Sequence, residues 1–273
     1  MLGERASESS VAALRHQYGL DQPVLQQYLV FLVHAIRLDF GQSIALHAPV
    51  RDVILARVGP TVFLVLFATA ISLVLVLPLA VTSAVNANRL PDQVIRVLMM
   101  IAFAMPGFWL ALLLIIVFSL KLGWFPTSGL GDPLLPLIAS LTLPALTLAF
   151  HLAPMQTRTL RASVIENLKA DHVEAARARG LSETRVLVRH VLRTSLVATV
   201  TIVGINLGFL LGGAVVAEAV FAIPGLGSLL VSAVSARDFP VIQGVTMVFG
   251  VGVILISVAI DLLNAALDPR IRL

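Results

Sequence analysis

The chain has 273 residues, of which 58% are hydrophobic and 12% charged, with a net charge of +4 and no cysteine. Soluble domains carry about a quarter charged residues, so this composition and the mean hydropathy of +0.97 exclude a soluble globular domain and point to the bilayer. The missing cysteines exclude disulfides and thiolate metal sites. The basic excess, almost all Arg, fits the loops of a membrane protein on one side of the bilayer better than a nucleic-acid surface.

No cleavable signal peptide is visible at Met1. Asp21, Gln22 and Pro23 form a helix start, with Asp21 or Gln22 near the capping position and Pro23 in the first turn. Val24, Tyr28, Phe31, Leu32 and Ala35 follow at helical spacing. The run Tyr28–Ile36 is too short to cross a bilayer and predicts a helix lying on the membrane surface or on other helices. Asp39–Ser43 reads as a turn, and Pro49–Val58 leads into the first apolar window.

Five uncharged windows reach the length of about 20 residues needed to span: Thr61–Val85, Val97–Leu120, Leu134–Thr157, Thr194–Ala217 and Phe239–Ile260. Backbone in lipid must pair internally, so these runs predict helices; none shows the period-2 alternation of a membrane barrel. Pro78, Pro106, Pro144 and Pro154 fall in or near the ends of these windows and predict kinks. The expected fold is an all-α polytopic membrane protein with five transmembrane helices. Its parts are an extracytoplasmic helical region over 1–57, a transmembrane domain over 58–264, a loop over 156–195 and a tail over 265–273.

The Gln156–Ser195 interval stands apart, because it leaves the apolar phase and holds eight of the nineteen basic residues. With this loop in the cytoplasm, alternation places twelve basic residues inside and seven outside, five of the seven before Val58. The bias predicts a cytoplasmic C-terminus. It also leaves residues 1–57 outside with no apolar helix to export them, so a further span is expected ahead of this sequence; the rival is a five-helix protein.

Within the loop, Asp171–Arg179 consists mostly of good helix formers and Gly180 predicts its stop. Val173, Ala176 and Gly180 share a face, Ala175 and Ala176 permit close approach of another surface, and Glu174 is spaced to pair with Arg177. Ser182 predicts the cap of a second helix, along which Arg185, Arg189 and Arg193 form a stripe suited to anionic lipid headgroups.

These residues bring a resemblance with them. Glu174-Ala175-Ala176, three residues, then Gly180 is similar to the cytoplasmic motif of inner-membrane permease subunits of binding-protein-dependent ABC importers, most closely the dipeptide, oligopeptide and nickel group. GLSETRVLVRHVLRTSL (180–196), LLGGAVVAEAVFAIPGLGSLLVSAV (210–234), RDFPVIQG (237–244), DLLNAALDPRIR (261–272), GLDQP (19–23) and DFGQS (39–43) resemble the same group, so the likeness runs through the whole chain. The general motif ends in Leu-Pro where this chain has Leu192-Arg193, a departure common in the peptide group.

The resemblance implies a six-helix permease in a bacterial or archaeal cell membrane. It implies that Glu174, Ala175, Ala176, Gly180 and the adjoining Leu181 dock into a cleft on a cytoplasmic ATPase. The partners it implies are a second permease subunit in a heterodimer, two ATPases carrying ATP and Mg, and an external solute-binding protein.

The remaining residues agree with a subunit that does no covalent chemistry. No G-x-x-x-x-G-K-[ST] loop is present; Gly212-Gly213 and Pro224–Gly227 lack the Lys, so no ATP site or catalytic residue is expected here. His16, His34, His47, His151, His172 and His190 have no metal-site spacing. Gly204, Gly208 and Gly212 line one helix face and predict close helix packing, either within the bundle or against a second permease. Asn206 reads as packing glue. Glu218, Arg237 and Asp238 flank an outer loop and Asp261 ends an inner helix, where charge pairing at the interface is expected. The alternative, a secondary transporter, calls for internal repeats, and none is visible; a scaffold without a pathway is the third reading. The solute stays open among dipeptides, longer peptides, nickel complexes and glutathione-like molecules.

Overall fold

Apolar runs without water to satisfy their backbone close their hydrogen bonds within helices, and helices are the regular elements throughout the described residues. The computed structural model describes residues 21–37 and 39–267, apart from the side chains of Val197, Ala198, Leu263, Asn264, Ala266 and Leu267. Of the expected tail over 265–273, residues 265–267 continue the last helix, while 268–273, with Arg270 and Arg272, lie outside the described residues, as do residues 1–20.

In chain order the helices are α1 (Val24–Ile36), α2 (Val50–Val85), α3 (Leu90–Ala104) and α4 (Gly107–Leu114), the last extended by a π-helical stretch, Ile115–Lys121. They continue with α5 (Leu134–Leu168), α6 (Asp171–Ala178) and α7 (Glu183–Val186), which runs through a second π-helical stretch, Leu187–Leu192, into α8 (Arg193–Val220). Then come α9 (Leu226–Ser235) and α10 (Phe239–Leu267). By length and composition α2, α5, the Thr199–Val220 part of α8 and the Phe239–Leu262 part of α10 can each cross a bilayer.

The window Val97–Leu120 breaks more sharply than the kink expected at Pro106. It is split between α3 and α4, which meet at 104°. Pro106 has no N–H to continue the ladder and pushes the residue before it out of the helical region; Met105 sits at φ −77°, ψ 126°. Pro60 and Pro78 stay inside α2, and Pro144 and Pro154 stay inside α5.

Helices α2 and α5 pack along one another and form the spine of the bundle. An outer core gathers Leu64, Leu141, Leu148, Leu210 and Phe221, and an inner core gathers Val76, Ala80, Leu160, Val164, Val173 and Val191. The outward faces stay apolar, with Leu66, Val74, Phe209, Ile254 and Leu255 exposed, as a bilayer-facing surface requires. Helix α1 is exposed over most of its apolar side chains and buries Ala35; Pro23 itself takes the capping position. The segment after it is tied down by Asp238, which accepts hydrogen bonds from the Ser43 hydroxyl (2.5 Å) and the Ala45 N–H (3.0 Å). Burial opposes ionisation of Asp238, but these donors outweigh it and hold the carboxyl below its ordinary range.

At the end of the bundle nearest α6, the fully buried Asp92 joins three helices. The Arg161 guanidinium of α5 donates to it in a fork (2.8 and 2.7 Å), the Ser83 hydroxyl of α2 donates at 2.6 Å and the Asn88 N–H at 2.8 Å. Removing one side of a buried ion pair strands the other charge and costs about 3–5 kcal/mol. Asp92→Ala is therefore expected to lower the thermal unfolding midpoint of the purified protein sharply. An unchanged midpoint would show that the fork contributes little.

Candidate functional site

The polar loop between α5 and α8 is built around α6. Ala170 enters in extended conformation (φ −76°, ψ 145°), and Asp171 and Glu174 place negative charge in the first turn, where the helix dipole favours it. Helical spacing then sorts the residues by direction. Val173 and Ala176 are fully buried on the inner core, against a cluster that includes Val76, Ala80, Leu160 and Val164. Glu174, Ala175, Arg177 and Ala178 face outward.

The stop at Gly180 takes the form expected of a glycine-terminated helix. Gly180 has φ +77°, its N–H donates to the Arg177 carbonyl (2.9 Å), and the Leu181 N–H reaches back to the Ala176 carbonyl (3.4 Å). A Cβ on Gly180 would meet nothing within 4 Å, so the position needs glycine for its backbone conformation and not for space. Leu181 then folds back onto the inner core beside Ala176.

Three expectations change here. Ala176 and Leu181 do not form part of an outward docking face: Ala176 is wholly inside and Leu181 is half-buried on the chain's own helices. Glu174, Ala175 and Gly180 remain exposed. Arg177 does not bond Glu174; it forks onto Glu183 across the Gly180 turn, at 2.9 and 3.1 Å. Ser182 occupies the position before α7, but its side chain makes no capping bond. Arg185, Arg189 and Arg193 are all exposed, opposite buried Val186 and Val191.

The glycine strip on α8 divides. A Cβ on Gly204 would lie 2.5 Å from Ile260 of α10, and one on Gly208 would lie 3.6 Å from Val253, whereas one on Gly212 would meet nothing within 4 Å. Gly204 and Gly208 therefore pack within this chain, and Gly212 is exposed. Overpacking costs about 1–3 kcal/mol, so Gly204→Ala is expected to lower the unfolding midpoint while Gly212→Ala leaves it unchanged. Equal effects of the two would remove the distinction.

Glu218 also differs from expectation. It is fully buried and has no ion pair among the described residues. Its carboxylate accepts from the Thr61 hydroxyl (2.6 Å) and from the Gly227 and Ser228 N–H groups (2.7 and 3.0 Å) at the start of α9. The Thr61 oxygen in turn accepts the Leu226 N–H at 2.8 Å. A Cβ on Gly225 would overlap the Glu218 carboxyl, and one on Gly227 would overlap the Val215 backbone. The glycines of Pro224–Gly227 thus serve the close approach of α9 to α8. The signal for this was the pairing of a lone membrane carboxylate with a Pro-Gly-Leu-Gly run a few residues on. Among the described residues no group of three or more His, Cys, Asp or Glu could hold a metal ion.

A family model for the inner membrane component of binding-protein-dependent transport systems matches residues 76–273. The glutathione transport system permease protein GsiC of Escherichia coli (strain K12) is 40% identical over 270 residues, covering 99% of this chain and 87% of that protein. GsiC of Salmonella typhi is 39% identical over 270 residues with the same coverage, 99% and 87%. Among solved structures, an inward-facing form of the MetNI methionine ABC transporter has a TM-score of 0.67 at 20% identity, covering 79% of this chain and 96% of that one, a likeness of fold. The chain therefore belongs to the family of binding-protein-dependent transport system inner membrane components, and it is a permease subunit of an ABC importer.

Proposed function

We propose that this permease imports short peptides or a glutathione-like peptide, and that α6 is the element through which ATPase partners drive it. The observation that carries the coupling reading is the two-sidedness of α6. Glu174, Ala175 and Gly180 are free for a partner, while Val173 and Ala176 are locked to the membrane helices. The peptide class is supported by the 40% identity to a glutathione permease over 99% of this chain.

In this reading a second permease completes the pathway, two cytoplasmic ATPases bind ATP and Mg, and an external binding protein delivers the solute. This chain has no catalytic residue of its own. The loop carrying α6 and the C-terminus face the cytoplasm, in line with the twelve-to-seven distribution of basic residues, and residues 1–57 face outward. Closure of the ATPases pushes on Glu174 and Ala175. The push passes through Val173 and Ala176 into α2 and α5, and the bundle rocks between outward and inward openings.

Reconstitution tests this. Proteoliposomes holding both permeases and the ATPases, with the binding protein outside, are expected to accumulate labelled glutathione or dipeptide only with internal ATP. Gradient-driven uptake by this chain alone would sink the proposal, and ATP-driven uptake of neither peptide would sink the solute class.

A further inference from the structure

At the α6 end of the bundle, α3 and α5 enclose a cavity of about 390 Å³, within the size range of small-ligand sites. Its interior is apolar, lined by Met99, Met100, Phe103 and Met155, and its other lining residues include Arg96, Arg158 and Arg161. The three guanidiniums are not equivalent. Arg161 is consumed by the fork to Asp92. Arg96 lies 3.6 Å from the same carboxylate with half its side chain exposed. Arg158 makes no hydrogen bond or ion pair with any described residue. Three positive charges thus share one negative charge, and the surplus sits on Arg96 and Arg158.

The cavity opens sideways. Met100 is 71% exposed, Phe103 67% and Met155 44%. Met155 belongs to α5, which is long and apolar enough to cross the bilayer, and Met100 and Phe103 to α3, the first arm of the apolar pair bent at Pro106, so the opening faces acyl chains. A cationic rim near the helix ends over an apolar trough toward mid-membrane matches one ligand chemistry: a negatively charged headgroup with a hydrocarbon tail.

We propose that this cavity binds an anionic phospholipid from the leaflet on the α6 side. Its phosphate lies at Arg96 and Arg158, and an acyl chain lies between Met100, Phe103 and Met155. A zwitterionic lipid brings its own cation to the rim and binds less well. The bound lipid touches Arg161, and through it the Asp92 junction that joins α2, α3 and α5 beneath α6. Occupancy therefore reinforces the Asp92 junction between α2, α3 and α5. This inference adds a ligand that the transport reading does not require, and its test reads lipid binding and not uptake.

The test is native mass spectrometry of the full chain, purified with its partner subunits in detergent and titrated with phosphatidylglycerol or with phosphatidylcholine of the same acyl length. Phosphatidylglycerol is expected to be retained about thirtyfold better, as two unneutralised basic residues imply. Arg158→Gln leaves every structural bond in place, and is expected to weaken phosphatidylglycerol retention about fivefold without affecting phosphatidylcholine. Met155→Trp, which fills the trough, is expected to remove the preference while the charges stay. Equal retention of the two lipids by the unmodified importer would overturn the proposal, as would an Arg158→Gln variant that binds like the parent. Displacement of the lipid by inorganic phosphate or free glutathione at matched concentration would also overturn it, by assigning the rim to a soluble anion.

Discussion

Glu218→Ala is expected to destabilise the protein by about 3 kcal/mol or more, the sum for the donors left without an acceptor. Three donors converge on this carboxylate: the Thr61 hydroxyl of α2 and the Gly227 and Ser228 N–H groups that open α9. The site is buried, so water cannot replace the lost oxygens without a rearrangement of α9. Glu218→Gln is the informative partner. Its single oxygen can keep either the two N–H groups, which share Oε2, or the Thr61 hydroxyl at Oε1, while its amide group replaces the other acceptor, so an intermediate loss is expected. Thermal unfolding in detergent reads the order Glu, Gln, Ala. If alanine at 218 leaves the midpoint within experimental error of the parent, the α8–α9 contact is held by packing alone. Transport should fall with the same order, because α9 is anchored to the bundle at its first turn by this carboxylate and by Thr61.

Gly180→Arg is expected to abolish uptake while the protein still inserts and folds. Two effects add. The backbone at φ +77° disfavours any residue with a Cβ by about 1–2 kcal/mol, which loosens the bonds that close α6. The long cationic side chain then projects from the exposed surface beside Glu174 and Ala175. Gly180→Ala separates the two effects, because nothing lies within 4 Å of its Cβ; it should retain much of the uptake and lose only conformational stability. Co-purification of the ATPases measures docking directly. Recovery of a normal ATPase complex from Gly180→Arg would count against α6 as the docking element, whatever happened to uptake.

The degree to which these features could be read from the chain follows from how local they are. Hydropathy windows located the helices because a span is a property of consecutive residues, and Gly180 announced its own turn for the same reason. The orientation of Ala176 was within reach: Val173 and Ala176 share a helix face, and a face bearing Val on a polar helix is the buried one. The fork from Arg177 to Glu183 was not. It joins residues on two helices and depends on the reversal at Gly180 that brings them together. The break at Met105–Pro106 is similar. Pro78, Pro144 and Pro154 carry the same local chemistry and remain inside helices, so the outcome at Pro106 was decided by tertiary surroundings. The partner of Glu218 lies 157 residues away at Thr61, beyond any spacing argument. The glycine strip shows the same limit: three glycines look equivalent along α8, but only Gly204 and Gly208 have α10 residues opposite them.

The burial of Val173 and Ala176 has a mechanical corollary. A helix attached only through its flanking backbone is a tethered ball, and a push on it dissipates in the slack of the tethers. Here α6 is held sideways by α7 and the π-helical stretch Leu187–Leu192, and its fully buried Val173 and Ala176 join the core that also contains residues of α2 and α5, so the flanking segments Lys169–Ala170 and Leu181–Ser182 are not its sole attachment. The stiffness of the linkage is that of a packed core, which resists compression like an organic solid. Under the proposed coupling, a stroke delivered at Glu174 and Ala175 reaches the membrane helices with little lost motion, and compliance belongs to joints such as the 104° elbow between α3 and α4.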